Sequence, residues 1–338
     1  MAHEITETDG LVLTGQPAWH GLGRVVEEAP TPYQALHLAK LDWNVLESPN
    51  VSGIFEFPGE AAPVRISDNS KKILVRSDTR EVLATVGIDY VPVQNEELAD
   101  LAYEIAGEAS DGVRVESAAS IMGGKRTWFL LRGETVGLNH GKDEQRLYLL
   151  LSNGHDGKLA LSAMPTAVRV VCKNTLNLAL SQGKRLCWFK HEGNMDSKRK
   201  EIGRALASFV ETGKTYKEQA ESLVSKALTV AQIQGFWTEV YTKLEGEIPV
   251  NPKDKYETRA KNAAVDALGT WANTFDKERN VAGANAWNAF NAVTNWYDHS
   301  RNVRGGTEKE KNAKRLEKSL FGDFSESKAE VMKMALAI

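Results

Sequence analysis

The stretch VRVESAASIMGGKRTWFLLR, residues 113–132, decides the fold prediction for this chain. Two runs of strand composition flank a double glycine there, which is typical of a tight turn between antiparallel strands. Two more such runs follow, RLYLLLS at 146–152 and LALSAM at 159–164. Four short strands with short connections predict an antiparallel meander.

The sequence before the meander predicts a helix, a hairpin and a second helix. Thr31 is a suitable N-cap and Pro32 fits the first helical position, so a short helix is expected to begin there. The apolar runs KKILVRS at 71–77 and EVLATVG at 81–87 are separated by three polar residues and predict a hairpin. Asn95 is expected to cap a helix whose first turn is acidic.

The segment that follows the meander, TAVRVVCKNTLNLAL at 166–180, begins with strand composition. From Leu176 its apolar residues have helical spacing, so we expect a helix there. The resulting order of helix, meander and helix predicts an α+β unit, in which flanking helices cover an antiparallel sheet.

The C-terminal part is predicted to be all helical. From about Ser197 the apolar residues recur with a period of 3.6, and Thr229 with Gln232 has the pattern of a capping box. Together with the length, this change of period predicts two domains, an α+β domain over 1–195 and a helical region over 196–338. Further helices are expected at about 254–276, 283–299 and 326–337.

Composition excludes several classes of protein. Two cysteines, Cys172 and Cys187, exclude a disulfide framework and fit a reducing compartment. The N-terminus does not have the pattern of a signal peptide, and no apolar run is long enough for a membrane helix, so we expect a cytoplasmic protein. The nucleotide-binding pattern GxxxxGK[ST] and the hydrolase pattern GxSxG are both missing from the sequence. The chain is therefore expected to be non-catalytic and to use no cofactor.

Several stretches together resemble the phage- and plasmid-like protein family that carries domain of unknown function 932. The resemblance covers nearly the whole chain, and it implies a phage, prophage or plasmid origin without implying an activity. The predicted order of helix, meander and helix is also similar, at the level of fold alone, to phage single-strand annealing proteins. The stretches that carry the family resemblance are PAWHGLG (17–23), LDWNV (41–45), SNGHDG (152–157), AVRVVCKNTLNLAL (167–180), NAWNAFNAVTNWYDH (285–299) and SLFGDFSESK (319–328).

Positive charge is concentrated between residues 169 and 204. The segment contains nine lysines and arginines and three acidic residues, so its net charge is +6. The whole chain has a net charge of −3, so the residues outside the segment carry a net charge of −9. Trp188 and Phe189 lie within this basic segment. Lysine and arginine side chains bind a phosphate backbone, and exposed aromatic rings stack on unpaired bases. The segment therefore predicts a groove that binds single-stranded nucleic acid. The same pattern also fits buried rings beneath a solvated charged face.

Two further features extend the predicted interface. Lys125, Arg126 and Trp128 follow the double-glycine turn on the predicted hairpin, and they fit either the same surface or a solubilised hairpin edge. Asn174 lies at a predicted strand-to-helix junction, where a helix start favours an anion, or where it is an ordinary N-cap. We predict binding of single-stranded nucleic acid, DNA favoured, by a homo-oligomer through Lys125, Arg126, Trp128, Arg169, Lys173, Asn174, Lys184, Arg185, Lys190, Lys198 and Arg199.

Two other functions stay open. The pairs His155-Asp156 and Asp298-His299, with His20 and His191, suggest a metal-dependent enzyme acting on nucleotides or nucleic acid. Adjacent strand residues point to opposite faces, however, so each pair is expected to supply one ligand at most, and no metal site is assigned. The third reading is a host-directed interaction protein. Separately, the asparagines spaced along 285–295 fit hydrogen bonds to bases, to another helix or to solvent, and we expect them to serve self-association or domain docking.

Overall fold

The structure is a computed structural model that describes residues 10–15, 24–108, 114–169, 175–177, 187–193, 197, 201 and 205–338. It is an α+β protein, with antiparallel sheets in the N-terminal half and helices in the C-terminal half, as the sequence predicts. The described strands are β1 Leu11–Thr14, β2 Arg24–Val26, β3 Val45–Glu47, β4 Val51–Phe55, β5 Val64–Asp68, β6 Lys71–Arg76, β7 Val82–Gly87, β8 Arg114–Ile121, β9 Arg126–Leu138, β10 Asp143–Gly154, β11 Leu161–Arg169, β12 Thr175–Asn177 and β13 Cys187–Phe189.

The helices carry the capping signals that the sequence shows. Thr31 and Thr229 each form a complete capping box with the glutamine three residues later, and Asp254 caps the long helix of the C-terminal half. The described α-helices are α1 Pro32–Leu38, α2 Asn95–Glu108, α3 Ala205–Ser225, α4 Val230–Leu244, α5 Lys255–Ala282, α6 Ala286–Asn295, α7 Glu308–Phe321 and α8 Asp323–Ala337; a π-helical turn, Trp296–Ser300, follows α6.

The predicted meander forms the middle of the largest sheet. Its strand order is β12-β11-β10-β9-β8-β1-β2, and β13 also pairs with β11. Strands β8 and β9 are antiparallel, with Ala119 opposite Trp128. Two strands are longer than predicted: β9 continues to Leu138, and β10 begins at Asp143 and ends at Gly154.

The predicted hairpin of β6 and β7 is also present, and β3 pairs with the outer side of β6. Its core contains Trp43, Val45, Leu74, Leu83 and Val86. A separate two-stranded ribbon, β4 and β5, connects β3 to this hairpin.

Two local predictions are wrong. Leu176 lies in strand β12, antiparallel to Ala167 of β11, because pairing with the sheet overrides three residues of helical spacing. The Asn95 side chain does not cap α2 but donates to the carbonyl oxygens of Leu41 and Trp43, at 3.0 and 3.4 Å. The amide therefore ties the start of α2 to the segment before β3.

The asparagines of α6 also have a local role. Asn285 caps the helix, and the buried amides of Asn288 and Asn291 donate to backbone carbonyl oxygens within the helical part of the chain. These groups satisfy buried backbone acceptors, so they are not presented to another molecule in this structure.

The chain divides into two compact units that alternate along the sequence. The first contains the described residues within Met1–Arg132, Leu149–Met164 and Arg185–Ala207. The second contains those within Gly133–Tyr148, Pro165–Lys184 and Ser208–Ile338. The domain boundary proposed between 195 and 196 stays a prediction.

Candidate nucleic-acid interface

Most of the predicted basic segment falls outside the described residues. Arg169 ends strand β11, and its side chain is not among those described. Lys190 follows β13 and is exposed. The predicted site residues that lie outside the described part of the chain are Lys173, Asn174, Lys184, Arg185, Lys198 and Arg199.

The hairpin residues predicted to extend the interface lie at the start of β9. Trp128 is 2% exposed and Thr127 is fully buried, so the sheet is covered on both faces here. The ring of Trp128 is therefore not available to stack on a base in this structure. Arg126 lies 3.4 Å from Asp156 in a largely buried ion pair, and the Lys125 carbonyl accepts a hydrogen bond from the His155 amide at 2.7 Å.

Trp188 is the exposed ring of the basic segment. It lies in β13, opposite Ser162 of β11, and 45% of its surface is exposed. Lys190 lies two residues further on, so the two side chains leave the same side of the extended chain. Phe189 points the other way and is half-buried.

Trp188 and Lys190 both line a cavity of about 590 Å³ in the first unit. This volume is in the range of pockets that hold small ligands. We call it the Trp188 cavity; its other lining residues are Ser70, Gly87, Ile88, Asp89, Tyr90, Gly157, Lys158, Leu159, Ala160, His191 and Glu192.

One side of the Trp188 cavity is held by two stacked rings. The rings of Tyr90 and His191 lie 4.7 Å apart at an interplanar angle of 20°. The Tyr90 hydroxyl donates to the Gly154 carbonyl at 2.7 Å, and the Val91 amide donates to the His191 carbonyl at 2.7 Å. Burial raises the pKa of Tyr90, so this phenol stays protonated and keeps its role as a donor. These hydrogen bonds hold Tyr90 and His191 in place on this side of the cavity without a ligand.

A second wall is positioned by Asp156. Its Oδ1 accepts hydrogen bonds from the amides of Lys158 and Leu159, at 2.9 and 3.1 Å, which is the geometry of an Asx turn. Its Oδ2 faces Arg126. Arg126 thus acts through Asp156 on the turn that presents the exposed Lys158 to the cavity.

Charge in the Trp188 cavity is mixed. Lys158 and Lys190 are exposed cations on its lining, and Asp89 and Glu192 are exposed carboxylates on the same lining. The aromatic face and the two ammonium groups can hold a base and its phosphate, whereas the two carboxylates repel a phosphate.

Among the described residues, neither histidine–aspartate pair belongs to a group that could hold a metal ion. His155 is fully buried; its Nε2 lies 3.2 Å from Asn95 Oδ1 and its ring meets the edge of Trp43. Asp298 is buried in the second unit, where Lys328 Nζ and Ser319 Oγ approach Oδ1 at 2.7 and 2.5 Å. Among the described residues, no three His, Cys, Asp or Glu side chains are grouped so as to hold a metal ion.

Sequence reasoning missed most of this lining. Asp89 and Tyr90 lie far from the basic segment in sequence, and Lys158 lies in the bend before β11, outside that segment. The signal that was available is the turn His155-Asp156-Gly157, since an aspartate before a glycine is typical of a loop held by its own side chain.

A protein-family model matches this chain. The model of the family described as Domain of unknown function (DUF932) matches residues 82–320, which is more than half of the chain. Comparison with curated proteins and with solved structures found no match. In the part of the chain that the structure describes, no helix combines the length and apolar character needed to cross a bilayer.

Proposed function

The chain belongs to this DUF932 family, whose description names no activity, and from that premise we propose that it binds single-stranded nucleic acid without acting on it chemically. The observation that carries the proposal is the exposed Trp188 ring on a cavity that also contains Lys158 and Lys190. An exposed tryptophan is costly to leave in water, and here it is placed beside cations.

The physical basis is stacking combined with charge. Stacking of an unpaired base on an aromatic side chain contributes about 1–3 kcal/mol per base. Each lysine that meets a phosphate releases a condensed counterion, so the affinity is expected to fall as salt rises. A duplex keeps its bases stacked on each other, so the Trp188 ring has no free base face to receive from it.

The specific form of the proposal is a single-strand DNA-binding or annealing protein that serves recombination or replication of a phage or plasmid. An annealing protein has to hold two strands with their bases accessible, so we propose that it works as a homo-oligomer. The concentration of positive charge in 169–204 supports contact with the backbone beyond the cavity.

The test is fluorescence anisotropy of a labelled single strand of about 40 nucleotides, compared with the duplex of the same sequence, at about 50 and 200 mM salt. We expect tight, salt-sensitive binding of the single strand. The variant Trp188→Ala is expected to weaken it by about 5- to 150-fold, the equivalent of 1–3 kcal/mol.

The matched control is Tyr256→Ala, which removes a 66% exposed ring from α5 that does not line this cavity. Its affinity should equal that of the wild type. If Trp188→Ala also binds like the wild type, the assigned site is wrong. If the wild type binds neither single strand nor duplex, the proposed function is wrong.

A second function, interaction with another protein, is favoured by the β4–β5 ribbon. Ile54 is 75% exposed, and Phe55, Phe57 and Ile66 are also exposed there. Exposed apolar side chains grouped on one small element are typical of protein interfaces. A wild type with no affinity for nucleic acid would make this ribbon the leading candidate.

A further inference from the structure

We infer that Asp156, although acidic, strengthens the binding of single-stranded nucleic acid because it holds Lys158 in place on the Trp188 cavity. The inference rests on the proposed function and makes Asp156 a positioning residue, which acts through Lys158. Asp156 itself does not line the cavity, whereas residues 157–160 all line it.

The first step of the argument is the turn that carries Lys158. The turn connects β10, which ends at Gly154, to β11, which begins at Leu161. A single carboxylate oxygen of Asp156 accepts from two successive amides of this turn, those of Lys158 and Leu159. The backbone on which the exposed Lys158 side chain stands is therefore held by the side chain of Asp156.

The second step is that the carboxylate of Asp156 is itself held. Arg126 Nε lies 3.4 Å from its other oxygen, and the two side chains are largely buried. The guanidinium group thus fixes one oxygen and leaves the other directed at the two amides. Substitution of Arg126 is therefore expected to affect binding through Asp156, even without a contact between Arg126 and the nucleic acid.

The third step is that the two effects of Asp156 on affinity have opposite signs. A carboxylate near the cavity repels a phosphate, so by charge alone its removal tightens binding. Without its hydrogen bonds, however, the backbone at Lys158 has to be ordered when the ligand binds. Ordering the backbone of one residue corresponds to an affinity loss of about 5- to 30-fold. The direction of the change in a variant therefore distinguishes positioning from charge.

The experiment measures anisotropy of a labelled single strand of about 40 nucleotides with the full chain at about 50 mM salt. We expect Asp156→Ala to bind about 5- to 30-fold more weakly than the wild type. Asp156→Asn should retain most of the affinity, because the amide oxygen of asparagine can accept the same two hydrogen bonds.

The matched control is Asp254→Ala. The Asp254 Oδ1 also accepts from two amides, those of Tyr256 and Glu257 at 2.8 and 2.9 Å, but Asp254 does not line the Trp188 cavity. This control removes the same charge and the same kind of bonds as Asp156→Ala. It should bind at least as tightly as the wild type.

A double-mutant cycle with Lys158 separates positioning from a general loss of structure. Lys158→Ala changes an exposed side chain and should weaken binding by itself. In the Lys158→Ala background, Asp156→Ala should cause no further loss, because the turn then has no ammonium group to place. A general loss of folded protein would instead weaken binding equally in both backgrounds.

Four results would overturn the positioning role while single-strand binding stands. They are unchanged or tighter binding by Asp156→Ala, equal weakening by Asp156→Asn, wild-type binding by Lys158→Ala, and equal losses in the two backgrounds. Absence of binding by the wild type would overturn the proposed function and this inference with it.

Discussion

His155 is buried without charge, and this makes the stability of the chain depend on pH. Its imidazole is fully buried in the first unit, beside Trp43 and Asn95. The Asn95 amide nitrogen donates to two carbonyl oxygens, which leaves Oδ1 to accept from the protonated Nε2 of His155. This bond favours the neutral imidazole with its proton on Nε2, and no described group forms a hydrogen bond with Nδ1.

Burial, followed by smaller contributions from the nearby His191 and Arg76, lowers the pKa of His155 from 6.5 to about 3. Between these values the unfolded chain binds a proton that the folded chain does not. The stability is therefore complete above about pH 6.5 and is lost as the pH falls. From about pH 8 to pH 5 the loss from this one group is about 2 kcal/mol.

The assay is urea unfolding of the wild type and of His155→Gln at about pH 8 and pH 5. Glutamine does not titrate and can still donate to Asn95, so the variant should lose about 2 kcal/mol less than the wild type over this interval. His37→Gln is the matched control, because His37 is exposed and its Nδ1 lies 2.7 Å from Asp42. That control should keep the pH dependence assigned to His155.

A direct reading comes from NMR titration of the His155 ring protons in the folded protein. The shifts should stay constant from about pH 8 down to pH 5. A midpoint near 6.5, or equal losses of stability in the wild type and His155→Gln, would refute the reasoning.

Two further substitutions test packing by chemical or thermal unfolding. Lys328→Met leaves the buried Asp298 carboxylate without the ammonium group 2.7 Å away, so it should lower the free energy of unfolding by about 3–5 kcal/mol. Adding Asp298→Leu should recover part of that loss. An unchanged unfolding midpoint for Lys328→Met would contradict this. Gly124 and Gly59 share a left-handed backbone, with φ values of +88° and +87°. A Cβ at Gly124 would lie 2.6 Å from the Trp43 ring, whereas a Cβ at Gly59 would have no described atom within 4 Å. Gly124→Ala should therefore cost about 1–3 kcal/mol more than Gly59→Ala, and equal costs would rule out the steric contribution.

The parts of the fold that could be predicted are those with local signals. Thr31 and Thr229 begin helices because the cap and its glutamine are three residues apart in sequence. The meander could be read because each strand and each turn has its own composition. Leu176 could not be placed, since a three-residue strand is decided by its partner in β11.

The candidate site was less accessible to sequence reasoning for the same reason. Lys190 and the neighbouring Trp188 could be found because charge and aromatic residues are clustered there. Trp128 has the same composition around it, yet it is buried, because burial depends on which layers cover the strand. Asp89 and Glu192 line the same cavity only in the folded chain, so no spacing in the sequence relates them.

The exposure of Trp188 also has an optical consequence. Among the described tryptophans Trp188 is the most exposed, Trp296 is half-buried, and the rings of Trp43, Trp128, Trp237, Trp271 and Trp287 are buried. Of the described tryptophans, Trp188 is therefore expected to emit furthest to the red, and a dissolved quencher is expected to reach it before the others of that set. The protein thus carries its own fluorescent reporter on the cavity, and occupancy can be followed there without attaching a dye.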